Sequence, residues 1–509
     1  MKAIEQTTKT VDRPDRVLQF GEGNFLRGFA GWQIDILNEK TAFNGNVVVI
    51  QPRNREGSQG ALINAQRGLY TTVLRGLAEG RPAEEFRLVR SFSRCINPYT
   101  QFDEYLGCAE NPELRFVLSN TTEAGIAYRE GEGPEDRPQV SFPGKVTAFL
   151  YRRYEYFRGD PAKALVFIPC ELIDRNGDTL RRIVERIASE WKLGEGFLRW
   201  LGACVFCNTL VDRIVSGFPR EEAEALWEKL GYRDELLTAG ELFYLWVIEP
   251  PKPGVQPWDY RKEFPLEEAG LNVIWTGNLE FYRTRKVRIL NGAHSSTALA
   301  AYLYGLDTVD QCTAEPPVSR FMRQALFDEI IPSIEPGGSG TAHEELVRFA
   351  EETLERFANP FIKHQLLSIS LNSVSKFKAR VLPSILSYLK KYGKAPGALC
   401  CSLAALIVFY RGNPGGGGME GRRAGEPYPI KDDQNILRRF AALWAALDGV
   451  SGSPALLVHE VLSCRDWWGE DLSAYPAVED AVTMALETIL RDGIAAALAQ
   501  AGEHTGVSR

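Results

Sequence analysis

Within YRTRKVRILNGAHSS, residues 282–296, Lys286, Asn291 and His294 form the pattern K-x4-N-x2-H, which suits carbonyl chemistry. A ketone that accepts a hydride develops an alkoxide, and a lysine that releases its proton readily can supply what the alkoxide needs. Arg283, Arg285 and Arg288 crowd the same segment, and like charge favours the neutral amine. The Asn291 amide and the His294 imidazole can hydrogen-bond the substrate oxygen and keep it polarised. On one straight helix Lys286 and His294 would lie about 12 Å apart along the axis, a gap that long side chains can close around a ligand. The same residues also fit a plain Asn-Gly turn beside a solvated basic face.

A second candidate constellation opens the chain. The short strand RVLQF, residues 16–20, is followed at once by GEGNFLRGF, so Gly21 and Gly23 fall in a strand–helix turn and Gly28 in the incoming helix. Glycines let backbone approach a diphosphate, and the N–H groups at a helix start favour its negative charge. Phe20, Gly21, Gly23, Asn24, Phe25, Arg27 and Gly28 are therefore candidate cofactor-binding residues, with Arg27 placed to pair with a phosphate oxygen. The spacing is not G-x-G-x-x-G, and glycines serving sterics alone would fit as well. The acid that usually ends the second strand and holds the adenosine ribose is replaced by Gln51-Pro52-Arg53-Asn54, and an arginine there can favour a 2′-phosphate. SNTTEAGI leaves another strand with Asn120, Thr121 and Glu123, where a doubly wound sheet presents groups to the nicotinamide half; simple helix capping is the alternative.

These residues need elements to hold them. NVVVIQ (46–51), RFVLSN ending at Asn120 and ALVFIPC ending at Cys170 are continuous apolar runs, the mark of strands buried on both faces. The segments between them are long enough for helices, which predicts a Rossmann-like doubly wound parallel sheet over residues 1–275. After Asn176-Gly177, apolar residues at Leu180, Ile183, Val184, Ile187, Ala188 and Trp191 predict an amphipathic helix. Beyond about residue 275 helical periodicity dominates, over 287–304, 318–331, 344–357, 398–410 and 478–500, so residues 276–509 read as a mainly α-helical substrate domain. NPGGGGMEGRRAGEPYP, residues 413–429, reads as a mobile surface excursion; without Lys-Ser or Lys-Thr after its glycines it is not a phosphate loop.

Composition narrows the classes. Apolar residues make up 44% and charged residues 25% of 509, an ordinary globular balance, and a length that requires at least two domains. A net charge of -7 argues against general affinity for nucleic acid but allows a local basic pocket for an anionic small molecule. The first residues carry no signal-like apolar core and no run approaches a membrane span. Nine scattered cysteines fit reduced thiols in the cytoplasm. Neither the lone C-x-x-C of Cys204 and Cys207 nor the five histidines show metal-ligand spacing, so no metal site is expected. Oligomeric state is not readable.

LQFGEGNFLRGF, SNTTEAGI, PCELIDRNGDTL, LVDRIVSGFPR, ILNGAH, NPFIKHQLLSISLN and ALIVFYRG, in this order between residues 18 and 412, together resemble the mannitol dehydrogenase family of polyol dehydrogenases. The resemblance implies a Rossmann domain followed by a helical domain, NAD as cofactor, no zinc, and Lys286 as general acid/base with Asn291 and His294. It implies that Asp212, in the V-D-R-[IV] signature, lies in the substrate cleft. Where the polyol enzymes have C-D-N-L this chain has Cys170-Glu171-Leu172-Ile173, so one carbonyl-polarising amide is missing and Glu171 takes another role at the substrate. Where they have R-x2-H-x4-K it has Ser368, Leu371 and Lys376, keeping only the lysine. That loss suits a substrate with a carboxylate in place of a hydroxymethyl. Lys376, Lys378 and Arg380, with Lys363 and His364, offer cations for it; a solvated helix face is the bland alternative. The implied reaction is reversible reduction of D-tagaturonate to D-altronate by NADH, in hexuronate catabolism. The fructuronate–mannonate reaction, polyol oxidation and a non-catalytic nucleotide-binding regulator are the alternatives.

Overall fold

The computed structural model describes residues 1–54, 59–122, 124–251, 259–335, 342–415, 418–448 and 453–501. The chain forms two compact units. The first comprises Met1–Gly76 and Ala83–Leu279; the second comprises Leu77–Pro82 and the chain from Glu280 onward.

The first unit is built on strands β1 (Asp15–Phe20), β2 (Asn46–Ile50), β3 (Tyr70–Ala78), β4 (Arg81–Val89), β5 (Phe92–Ile96), β6 (Phe116–Ser119), β7 (Val166–Pro169) and β8 (Val205–Phe206). Six of them make one sheet in the order β5-β2-β1-β6-β7-β8, parallel throughout. The chain runs outward from β1 through β2 to β5, then returns to start the other half at β6. The order therefore reverses between β1 and β6, and ligands of such sheets bind in the crevice at the carboxyl ends of the strands on either side of that point. Successive side chains of one strand go to opposite faces. Val17, Val47, Val49, Phe116 and Leu118 enter one core, and Leu18, Val48, Ile50, Val117 and Phe167 the other. Both faces are buried, which is why the strands read as continuous apolar runs.

The expected parallel sheet is observed. Its neighbours were not anticipated: β9 (Asn208–Asp212), β10 (Val215–Gly217), β11 (Thr238–Glu241), β12 (Leu245–Glu249) and β13 (Val273–Trp275) build two further sheets, β10-β11-β3-β4 and β13-β12-β9. The helix expected after Asn176-Gly177 spans Asn176–Glu190 and buries Leu180, Ile183, Val184, Ile187 and Ala188.

The second unit is largely helical, as its periodicity predicts. Its central helix Gly397–Phe409 has no polar face, with Leu399, Cys400, Leu403 and Ile407 fully buried, the pattern of a helix surrounded by others. Helix Pro476–Asp492 stops at Gly493, whose φ of +86° suits glycine, and Ile494–Ala501 follows, so the single helix expected over 478–500 is two. The predicted surface excursion at 413–429 is corrected. Gly412–Gly415, Gly418–Arg423 and Glu426–Ile430 form an antiparallel three-stranded sheet. It is anchored by buried Tyr428, which stacks on Phe409 at 4.8 Å and bonds its carbonyl, and by Arg423, paired with Asp307 at 2.7 Å. Among the described residues no helix is long and apolar enough to cross a membrane.

Candidate active site

The β1 turn is shaped by close approach. Gly21 has φ +124°, and a Cβ there would lie 3.0 Å from the Asn120 carbonyl, so the ends of β1 and β6 meet over a glycine that a side chain would force apart. Gly23 is exposed and a Cβ on it would meet nothing within 4 Å, which leaves open space directly before its backbone. A diphosphate cradled by backbone needs that combination of tight turn and open approach. The residues of this turn fit a dinucleotide, whose diphosphate the Gly21–Gly23 backbone would hold.

The other residues expected to touch the cofactor make the following contacts within the protein. Arg27 is fully buried and occupied. Its Nε donates to Thr238 Oγ1 at 3.2 Å, Nη1 to the Glu22 carbonyl at 2.6 Å and to Gln59, and Nη2 to Asn24 Oδ1 at 2.5 Å. Burial lowers its pKa to about 10. It rivets the turn to β11 and does not face a phosphate. Gly28 is also buried: a Cβ would press on Val215 of β10 at 3.0 Å, and its carbonyl accepts from Arg213 at 2.8 Å, so this glycine serves helix–sheet packing. The Phe20 ring lies in the core against Phe142, and the Phe25 ring stacks on Phe29 at 5.0 Å. Asn120 donates to the Cys170 carbonyl at 2.8 Å. Glu123 lies outside the described residues.

Glu171 requires a correction. It is 2% exposed; one carboxylate oxygen accepts from Ser119 Oγ at 2.9 Å and the other from the Thr121 N–H and Oγ1, each at 2.9 Å. Burial raises its pKa against these donors. With both oxygens engaged behind the β6 turn, it positions Thr121 and is not presented to a substrate. Asp212 is buried at the end of β9, opposite Leu245. Its neighbour Arg213, unassigned from sequence, bonds the carbonyls of Gly28, Glu241 and Leu242 and lies 4.3 Å from the Trp32 ring centre. A buried arginine between two short strands is legible only from the structure, since nothing in its local sequence sets it apart from a solvated one.

In the second unit, helix Leu279–Arg285 passes into a wide turn over Lys286–Asn291 and continues as Gly292–Tyr304. That turn is π-helical, closed by i→i+5 bonds, which brings residues five apart towards one face. Lys286 and Asn291 are its first and last residues. The three arginines diverge: Arg283 faces Glu280, Arg285 is buried against the Phe349 ring at 4.3 Å, and Arg288 donates to Ser384 Oγ at 2.6 Å and Ser333 Oγ at 2.8 Å. They do not form one cluster around the lysine.

His294 stacks on Phe357 at 4.0 Å, and its edge meets His364 at 5.2 Å. His364 in turn feels Lys376: burial first, then that charge, lowers its pKa. Burial and then Arg380 lower that of Lys376, with Asp432 opposing. Arg380 donates to Ser295 Oγ at 3.3 Å, and Lys376 to the Ile369 carbonyl at 2.9 Å. Lys376 and Arg380, four apart on helix Ser373–Arg380, share a face. Exposed Lys378 lies beside Gly469 instead, and Lys363 is paired with Asp310 at 2.7 Å. The basic run thus contributes Lys376 and Arg380, and His294 and His364 are brought beside them. Ser295 is an added member that sequence reasoning missed.

Cys204 and Cys207 are fully buried, and burial raises both thiols, Cys204 to about 12. Among the described residues no group of three or more His, Cys, Asp or Glu is arranged to hold a metal ion.

A doubly wound sheet with a glycine turn at its switch point, followed by a helical unit carrying a lysine and a cation cluster, defines a dinucleotide-dependent dehydrogenase class. The Mannitol dehydrogenase Rossmann domain matches residues 15–258 and the Mannitol dehydrogenase C-terminal domain residues 278–490. The chain belongs to the mannitol dehydrogenase family and is an oxidoreductase. It is 46% identical over 488 residues to the altronate oxidoreductase of Yersinia enterocolitica serotype O:8 (96% of each chain). It is 45% identical over 483 residues to that of Klebsiella pneumoniae subsp. pneumoniae (94% of this chain, 95% of the relative). Among solved structures it is similar to a substrate-free D-sorbitol dehydrogenase, with TM-score 0.77, 20% identity and coverage of 98% and 100%. It is also similar to the Pseudomonas fluorescens mannitol 2-dehydrogenase complex with NAD and D-mannitol, with TM-score 0.64, 19% identity and coverage of 98% and 96%.

Proposed function

We propose that this protein reduces D-tagaturonate to D-altronate with NADH, reversibly, as the names of its relatives suggest. The observation that carries the substrate class is the pair Lys376 and Arg380 on one helix face, with His364 beside Lys376 and in contact with His294. A hydrogen-bonded carboxylate would neutralise that concentration of positive charge, whereas the hydroxymethyl of a polyol would not.

When bound, the nicotinamide supplies or accepts the hydride. Asn291 and His294 donate hydrogen bonds to the ketone oxygen and stabilise the charge that develops there. Lys286 gives its proton to that oxygen in reduction and takes it back in oxidation. Glu171 acts at one remove, by holding Thr121 at the nicotinamide side of the crevice.

The test is a turnover screen of the purified protein against tagaturonate, fructuronate and fructose, each with NADH and with NADPH. We expect tagaturonate with NADH to give the highest kcat/KM. A higher value with fructuronate would assign the sister reaction; one with fructose would remove the carboxylate from recognition.

A further inference from the structure

Burial of Arg27 leaves open which cation of the first unit meets the phosphates. Arg53 follows the end of β2, is exposed, and sends its guanidinium towards the β6 turn. There Nη2 lies 3.1 Å from Thr122 Oγ1 and 3.4 Å from the Thr121 carbonyl. In the sheet order β2 and β6 flank β1, so they are about 10 Å apart. The chain leaving β2 and the side chain ending on the β6 turn together bridge the carboxyl end of β1, where the backbone at Gly23 is open. Its partner Thr122 has φ +73°, a left-handed conformation that is costly for a β-branched residue. Outliers of this kind collect at ligand clamps, held by their surroundings; here the bonds from Thr121 to Glu171 do the holding.

We propose that Arg53 is the diphosphate clamp of this crevice, binding the dinucleotide from the solvent side while the Gly21–Gly23 backbone binds it from the protein side. The proposal rests on reading the turn as a dinucleotide site. Direction decides between the two phosphates an arginine here could serve. The adenosine 2′ position lies at the end of the second strand; the guanidinium is turned away from that end, across β1. Arg53 would then serve NADH and NADPH alike, and its presence does not argue for NADP.

The experiment is calorimetric titration of the full-length protein and its Arg53→Gln and Arg53→Lys variants with NADH, NADPH, ADP and adenosine. Arg53 is exposed, so thermal unfolding should coincide with the parent. We expect Arg53→Gln to weaken NADH, NADPH and ADP by a common factor, about tenfold to a hundredfold for one charged hydrogen-bonding partner, and to leave adenosine unchanged. Arg53→Lys should recover part of the loss, because the charge remains but the fork does not. Weakening of NADPH alone would overturn the proposal in favour of a 2′-phosphate contact. Changes below twofold for all four ligands would reduce Arg53 to a latch on Thr122. A parent that binds none of the nucleotides would instead fell the dinucleotide reading itself, and the clamp with it.

Discussion

At the scale of single residues, the roles proposed for Lys286 and Lys376 separate chemistry from recognition. Lys286 is assigned the proton, and it lies in a different compact unit from the glycine turn. Lys286→Ala should therefore lower turnover by at least about two orders of magnitude, the range of a general acid, while NADH affinity stays within about twofold. Stopped-flow turnover with fluorescence titration would show this; near-normal turnover, or lost NADH binding, would remove the lysine from that role. A uronate and a ketose present the same carbonyl to the reaction and differ in the carboxylate, the group Lys376 is proposed to meet. Lys376→Met should cut kcat/KM for tagaturonate about tenfold to a hundredfold more than for fructose, the worth of one charged hydrogen bond. Equal losses would make Lys376 a general structural residue. Glu171, which follows Cys170 where the polyol enzymes read C-D-N-L, accepts from Ser119 and Thr121, while the amide-bearing position of that motif is Leu172.

At the scale of elements, the two candidate segments share a device. The β1 turn leads into a π-helical stretch over Arg27–Gly31, and Lys286–Asn291 is another. In each, the wide turn sets the direction of side chains that a regular helix would aim elsewhere. The first is packed tightly: a Cβ at Gly31 would collide with the Tyr70 hydroxyl and stand 2.8 Å from the Phe92 ring. Gly31→Ala should cost about 1–3 kcal/mol of stability through overpacking, read by urea unfolding. Gly23→Ala meets no protein atom and should leave stability unchanged, yet weaken NADH binding by obstructing approach to the backbone. The opposite pattern, a destabilised Gly23→Ala with unaltered NADH affinity, would show that this glycine serves the turn alone.

At the scale of the molecule, a buried carboxylate couples the second unit to pH. Glu329 is fully buried and accepts the N–H groups of Ala398 and Leu399, each at 2.8 Å, at the start of the central helix. Burial, outweighing those donors, raises its pKa to about 7, with Asp328 adding in the same direction. A folded-state pKa above the unfolded value of 4.5 means that the native state binds the proton more tightly. The resulting stability is full below about pH 4.5 and is lost as pH rises through 7. The shift corresponds to about 3 kcal/mol. Glu329→Gln should flatten the fall in unfolding free energy between pH 5 and 8; parallel curves for variant and parent would place the titration elsewhere.

The sequence by itself determined the parallel sheet, because strands buried on both faces must be apolar throughout, and the helical second half, because helices packed on a core must repeat with their own period. The family motifs also singled out Lys286, Asn291 and His294 as the residues for which the catalytic roles are proposed. What only the tertiary structure decided is where polar side chains find partners. Arg27 and Arg53 are equally basic on the page, yet Thr238, from a strand more than two hundred residues away, buries one while the other stays exposed over the turn. Glu171 and Ser295 took their partners from other elements in the same way. The glycine-rich segment at 413–429 looked unable to pack until Phe409 and Asp307 supplied surfaces for Tyr428 and Arg423. Periodicity records which face a residue turns inward, and it is local; a hydrogen-bond or ion-pair partner is chosen by long-range contacts, which no local pattern encodes.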